Sequence, residues 1–157
     1  RVDVTSAEDM RRASLEHAQS ADIFVATAAV ADWRPAEQAA QKIKKDGSGE
    51  VPHLSFVENP DILSEIAHSQ RARSGELFCV GFAAESQDLL ANAQAKRARK
   101  GVPLLVGNIG PATFGRDDNA LLLVDDESAR ELPHASKRVL AQQLVAEIAR
   151  RVSGWSA

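Results

Sequence analysis

Lys42, Lys44 and Lys45 crowd into the segment Lys42-Ile43-Lys44-Lys45, and Lys96 and Lys100 recur at helical spacing further along. Ammonium groups gathered in this way offer compensating charge to a polyphosphate, the first chemistry these residue types suggest. If the first segment is extended, Lys42 and Lys44 share one face and Lys45 takes the other. The same lysines also suit a solvated edge strand protected against pairing with another chain. Lys96 and Lys100 are i and i+4 on a helix and project together, off the stripe that carries Arg97 and Arg99. A solvated helix face and a phosphate clamp both fit that pair.

Small and acidic residues supply the second signal. The runs Ala28-Ala29-Val30-Ala31-Asp32, Gly81-Phe82-Ala83-Ala84-Glu85 and Gly107-Asn108 each follow an apolar stretch, and Val57-Glu58-Asn59-Pro60 follows an alternating one. Side chains this small let a ligand lie against the backbone, although tight packing of strand on helix uses them as well. Asp32 suits a sugar hydroxyl, a metal or a turn cap. Phe82 fits a stacking platform for a base or plain core packing, and Asn108 a turn cap or a substrate contact. Asp125-Asp126-Glu127 reads as a solvated turn. His17, His53, His68 and His134 are scattered without metal spacing, and neither a Gly-rich dinucleotide fingerprint nor a Walker-type loop occurs. Cys79, the single cysteine, sits in Leu77-Phe78-Cys79-Val80, where apolar surroundings make a thiol inert. A lone thiol also fits a reducing, cytoplasmic compartment.

Alternating strands and helices must position these residues. The sequence predicts a short strand over residues 1–4, then a helix opened by a Thr5/Glu8 capping box and running to about Ser20. Residues 23–28 form a continuous β-branched and small apolar run, the pattern of a strand covered on both faces. Residues 33–41 contain Pro35 and read as a loop. Residues 42–45 and 53–57 flank Asp46-Gly47-Ser48-Gly49-Glu50 and predict a hairpin arm. Asn59-Pro60-Asp61 starts a helix that runs to about Gln70. Residues 77–82, 104–108 and 120–124 predict further strands, and a helix over 87–100 stops at Gly101 and Pro103. After Pro133, Ser136 caps a last helix with Val139, Leu140, Gln143, Leu144, Ile148 and Val152 on its apolar face. The alternation predicts a single α/β domain over residues 1–157, a doubly wound Rossmann-like parallel sheet whose ligands sit at the carboxyl ends of its strands.

The 157 residues suit one domain with a full core. A composition of 44% hydrophobic and 26% charged residues is that of a folded domain rather than a disordered one. The net charge of −3 gives no general case for nucleic acid as a partner. No apolar stretch nears the roughly 20 residues a membrane helix needs. The first residue is Arg1 rather than Met, which reads as a fragment or a fused domain.

Taken in order, several segments resemble the phosphopantothenoylcysteine synthetase family, the ligase half of the bifunctional bacterial coenzyme A biosynthesis flavoprotein. They are Ala28-Ala29-Val30-Ala31-Asp32-Trp33, Lys42-Ile43-Lys44-Lys45, Asn59-Pro60-Asp61-Ile62-Leu63, Val80-Gly81-Phe82-Ala83-Ala84-Glu85, Lys96 with Lys100, and Asn108 followed by Asp118-Asn119-Ala120-Leu121. The resemblance implies CTP-dependent ligation of 4′-phosphopantothenate and L-cysteine through an acyl-cytidylate intermediate. It makes Lys42 catalytic, neutralising the α-phosphate as that intermediate forms. It gives Ala26, Thr27, Ala28, Asp32, Asn59, Pro60, Asp61, Ile62 and Phe82 to the cytidine and its ribose. Lys96 and Lys100 would grip the triphosphate or polar groups of the base, with Ala29 and Asn108 on the substrate. Mg2+ would accompany the leaving pyrophosphate, while FMN would belong only to a fused decarboxylase domain outside this chain. A homodimer formed through the hairpin arm is a further implication.

The family's opening Gly-rich strand–loop–helix and its Asn-x-Ser-Ser-Gly-Lys segment have no counterpart here. The resemblance therefore implies a domain lacking its first β-α unit, one that alone binds nucleotide weakly and does not complete the ligation. Two other readings stand beside it. One is a non-catalytic nucleotide-binding module that has kept the sheet; the other is an NAD-type dehydrogenase half, which the missing glycine fingerprint disfavours.

Overall fold

A computed structural model describes residues 1–37, 41, 44, 53–85, 87–109 and 115–155. In chain order its elements are α1 (Ala7–Ala18), β1 (Ile23–Ala26), β2 (Trp33–Pro35), β3 (Phe56–Glu58), α2 (Ile62–Ala67), α3 (Gln70–Arg73), β4 (Phe78–Glu85), α4 (Leu89–Lys100), β5 (Leu104–Ile109), β6 (Asp118–Val124), β7 (Ala129–Ser136) and α5 (Lys137–Trp155). The α/β, Rossmann-like class holds. Among the described residues the central sheet has the order β1-β4-β5-β6-β7, and β2 and β3 form a separate ribbon.

The pairs β1–β4 and β4–β5 are parallel, whereas β5–β6 and β6–β7 are antiparallel. Chain length explains the change of direction. Only residues 110–117 separate β5 from β6, and a parallel crossover needs a dozen or more. The strand β7 is an element that the sequence did not predict. Its Pro133 is tolerated because β7 is an edge and its register against β6 shifts between Asn119 and Leu121.

The segment over residues 1–5 is not a strand, because among the described residues no neighbour pairs with it. Ser6, rather than Thr5, caps α1 by accepting the Asp9 N–H on its hydroxyl at 3.0 Å. Asp61, rather than Asn59, caps α2 by accepting the Ser64 N–H at 3.1 Å. That helix ends at Ala67 instead of continuing to Gln70, since Ser69 starts a fresh turn by capping α3. Residues 33–35 are not loop but β2, paired antiparallel with β3. Of the predicted arm, residues 42, 43 and 45–52 lie outside the described residues.

Alternation along β4 and β5 sends side chains to two cores. Cys79, Ala83 and Leu105 pack under α1, α2 and α4 with Ile66 and Val102. Phe78, Val80, Leu104 and Val106 pack under α5 against Leu140, Leu144 and Ile148. Val139, expected on that buried stripe, is 41% exposed because the stripe runs along Leu140, Leu144 and Ile148. The edge strand β1 is not covered on both faces either: Ile23 and Val25 are 40% and 39% exposed, while Phe24 packs inward. Cys79 is buried, and burial pushes its thiol up to about 11, which keeps it protonated and inert.

Close approach of strand to helix fixes one glycine. A Cβ on Gly81 would stand 2.7 Å from Leu63 Cδ2 and 2.9 Å from Leu105 Cδ1. Gly81→Ala is expected to destabilise the fold by about 1–3 kcal/mol, because both leucines must shift inside a packed core. Urea unfolding midpoints measure this, and an unchanged midpoint refutes the packing account.

Candidate functional site

The parallel register lines up the strand exits. Ala26 pairs with Gly81, and Phe82, Ala83 and Ala84 stand level with Val106, Gly107 and Asn108. The runs of small residues singled out in the sequence therefore meet along one edge of the sheet, where ligands of such sheets bind. Residues 27–32 leave β1 exposed, so Thr27, Ala28, Ala29 and Asp32 form an open shelf beside the other exits.

Asn59 ties that shelf to the β2–β3 ribbon. Its backbone N–H donates to Asp32 O at 2.7 Å, and its side-chain amide donates to Ala31 O at 2.8 Å. The Arg34 guanidinium donates to Asn59 Oδ1 at 3.1 Å and to Glu58 O at 2.8 Å. With both amide atoms engaged, Asn59 holds the shelf through its side chain. Pro60 follows, half-buried, and Ile62 enters the core at 8% exposure. Arg34 was missed by the sequence reading, and no local signal marks it, since its partner Asn59 lies 25 positions away.

The lysines divide. Lys42 lies outside the described residues, as do Ile43 and Lys45, while Lys44 is exposed. Lys96 and Lys100 project from α4 as the spacing predicted, yet their surroundings differ. Lys100 donates to the Asp61 carboxylate and its side chain is only 18% exposed. Burial works to raise the Asp61 pKa, but the hydrogen bond from Lys100 prevails, with help from the Ser64 N–H, and holds it below its ordinary value. Lys96 forms no ion pair among the described residues and is partly exposed.

Phe82 stands on the other face of β4, half-buried against the cluster under α5, so it and the α4 lysines do not share a surface. Asn108 lies level with Ala84 on β5 and is likewise half-buried. Two cavities lie elsewhere among the described residues. One of about 360 Å3 is lined by Arg73, Cys79, Arg97 and Pro103, and one of about 460 Å3 by Leu15, Ser69, Arg71 and Glu76. Their walls carry packing residues and helix C-terminal arginines, whereas the exits bring together small residues, an amide and acids. The exits are the better candidate on chemistry. Among the described residues no three His, Cys, Asp or Glu side chains converge as a metal site. No helix of the described residues is long and apolar enough to cross a membrane.

Residues 1–152 match the model of the DNA/pantothenate metabolism flavoprotein C-terminal domain family. The chain is 42% identical over 153 residues to the coenzyme A biosynthesis bifunctional protein CoaBC of Haemophilus influenzae, covering 96% of this chain and 37% of that protein. The chain thus spans little more than a third of the length of that relative. Among solved structures, the C-terminal domain of a coenzyme A biosynthesis bifunctional protein CoaBC superposes with a TM-score of 0.74 at 25% identity, over 98% of this chain and 66% of that one. A Cab2 variant in complex with phosphopantothenate-cysteine superposes with a TM-score of 0.74 at 18% identity, over 99% of this chain and 53% of that one, a likeness of fold.

Proposed function

The chain belongs to the DNA/pantothenate metabolism flavoprotein C-terminal domain family, and from that premise we propose that it carries the ligase step of coenzyme A biosynthesis, joining 4′-phosphopantothenate to L-cysteine at the expense of CTP. The substrate carboxylate attacks the α-phosphorus of CTP and pyrophosphate departs. The cysteine amine then attacks the acyl-cytidylate and releases CMP. The single observation that carries this reading is the meeting of the Ala26–Gly81 and Ala84–Asn108 pairs at one sheet edge, with the Asn59 turn hydrogen-bonded onto the shelf at Asp32.

The chemistry sets what the site must do. An anionic carboxylate approaching a polyphosphate is repelled, so positioning and charge neutralisation supply most of the acceleration. Lys42 is assigned to the α-phosphate. The shelf of Ala26, Thr27, Ala28 and Asp32, with Asn59, Pro60, Asp61 and Ile62, is assigned to the cytidine, and Phe82 to its base. Ala29 and Asn108 are assigned to the acyl substrate. Mg2+ enters with the phosphates that it neutralises; the described residues hold no acidic group of three for it, so no residue is assigned to it. A cytoplasmic homodimer, fused to a decarboxylase domain that holds FMN, completes the proposal.

Nucleotide choice tests the reading. CTP at about a hundredfold over its dissociation constant is expected to raise the melting temperature by roughly 5 °C or more, with smaller shifts for ATP and none for NAD. Differential scanning fluorimetry of the protein reads this directly, and a shift with NAD alone overturns the ligase reading. Formation of phosphopantothenoylcysteine from CTP, 4′-phosphopantothenate and cysteine is the accompanying activity measurement on a protein that also carries the family's Asn-x-Ser-Ser-Gly-Lys segment; this chain alone is expected not to complete the ligation.

A further inference from the structure

At the end of the sheet opposite the exits, a cavity of about 360 Å3 lies between α3, α4 and the starts of β4 and β5. Its floor is apolar: Leu77, Cys79 and Val102 are each 1% exposed. From Cys79 to Glu85, at about 3.3 Å per residue, roughly 20 Å of β4 separates that floor from the strand exits. Two guanidinium groups line the same cavity, Arg73 at the end of α3 and Arg97 in the last turn of α4. Arg97 gives one N–H to Val102 O at 3.2 Å, and Arg73 makes no side-chain hydrogen bond among the described residues. Neither meets a carboxylate there, so two positive charges line the cavity without a counter-charge. Helix C-termini ordinarily oppose an anion through their unpaired carbonyls. The turns after these two helices engage them instead: Gly101 N–H donates to Arg97 O at 3.0 Å, and Leu77 N–H to Arg71 O at 3.1 Å. With those carbonyls occupied, the charge of the cavity is that of its arginines.

We propose that this cavity binds a small amphiphilic anion, its oxyanion head on Arg73 and Arg97 and its short hydrocarbon chain on the floor of Leu77, Cys79 and Val102. Each half of that ligand answers a separate feature. A guanidinium fork takes carboxylate or phosphate oxygens in charge-assisted hydrogen bonds. The floor favours hydrocarbon, because apolar surface on both sides is removed from water. The volume stands near the lower end of small-molecule sites, about 300–1,000 Å3, which suits a chain of about six carbons with its head. The Cys79 thiol is protonated, so the ligand is held without a covalent bond. This site is separate from the exits and does not depend on what they bind.

NMR titration of the isotope-labelled protein, followed through the Cys79 and Val102 amides, tests the site with hexanoate and hexyl phosphate. Hexanol, hexylamine and inorganic phosphate are the controls: the first lacks the charge, the second reverses it and the third lacks the chain. Both hexyl anions are expected to bind at least about tenfold more tightly than any control, and the tighter of the two identifies the head. Arg73→Met is expected to weaken them about tenfold, the loss of one charge-assisted contact. Ala98→Leu places a good helix former in the cavity wall and is expected to abolish binding by filling the space. Arg73 is exposed, so its replacement spares the fold; should circular dichroism show that Ala98→Leu does not fold, Arg73→Met carries the comparison. CTP affinity is expected to be the same with and without saturating hexanoate. Hexanoate that binds no better than hexanol, that is indifferent to Arg73→Met, or that CTP displaces refutes the anion site. A protein that binds hexanoate but no cytidine nucleotide refutes the ligase reading and leaves the anion site standing.

Discussion

Lys42→Ala is expected to lower the rate of acyl-cytidylate formation by about a thousandfold, with a much smaller effect on CTP affinity. Removal of a single preorganised group facing developing charge costs 10²–10³ in other enzymes, and a cation at a transferring phosphoryl group is worth about 10³–10⁵. Those ranges meet near a thousand. The asymmetry between rate and affinity follows from when the charge is needed. Ground-state CTP brings counter-ions of its own, whereas the negative charge concentrated at the α-phosphorus as the carboxylate arrives has only what the site supplies. A group that acts at that moment lowers kcat and kcat/KM together. Lys42→Arg keeps the charge but replaces a compact ammonium by a planar fork, so it is expected to recover only part of the rate. Pyrophosphate release in rapid-quench experiments, with cysteine omitted, isolates the first half-reaction. An Ala variant within tenfold of wild type removes Lys42 from the catalytic role.

The parts of the fold legible in the sequence are those in which local signals agree. The apolar runs at 78–82 and 104–106 could only be buried strands, and Gly101, at φ +67°, ends α4 where the sequence placed its stop. Cys79 lies in the core as its neighbours required. Illegible were elements that exist because of distant partners. Trp33, Arg34 and Pro35 have no strand signature and are extended because Phe56, Val57 and Glu58 take their hydrogen bonds. The strand carrying Pro133 hides behind a residue that normally excludes pairing, and an edge position with a register shift admits it.

The site divides in the same way. Strand exits can be found from small residues after apolar runs, and the register then brings Ala26 and Gly81 side by side. Which lysine meets a carboxylate cannot be read so, since Asp61 and Lys100 stand 39 positions apart. The spacing reports only that the two lysines share a helix face. It is the approach of α2 that brings Asp61 to one of them.

A second group of charges was invisible for the same reason, and its removal is expected to have the largest effect on stability. Asp125 reads in the sequence as part of a solvated turn, and nothing in the sequence singles out Glu147. In the structure both are 9% exposed at the side chain. Glu147 Oε1 accepts from Arg150 at 2.6 Å and lies 3.0 Å from Arg151 Nη2, while its Oε2 accepts from Arg130 at 2.6 Å. Arg151 also donates to Asp125 at 2.6 Å, which clamps α5 to the β6–β7 turn. The Nε of Arg151 is buried without a partner among the described residues, so this guanidinium depends on the two carboxylates for its compensation.

Breaking a buried pair costs 3–5 kcal/mol, but Arg130 and Arg150 are 54% and 69% exposed and keep much of their hydration. Discounted for that, Glu147→Ala is expected to cost about 2–3 kcal/mol, against at most about 0.5 for Arg130→Ala. The hydrogen bond from Arg150, with Arg130 and Arg151 near by, holds the Glu147 pKa below its ordinary value. At Asp125 burial pulls upward, and the hydrogen bonds from Arg151, Ser128 and Glu127 outweigh it. A carboxylate depressed in the folded state stabilises fully above its unfolded pKa and loses that contribution as the pH falls through the folded one. The clamp is therefore complete at neutral pH and weakens only below about pH 4, the unfolded range of such acids. Urea unfolding of wild type and Glu147→Gln at pH 7 and at pH 3 tests both statements. The Gln variant is expected to be less stable at pH 7 and to converge on wild type in acid. A variant as stable as wild type at pH 7, or a difference that does not shrink in acid, leaves the clamp without energetic weight.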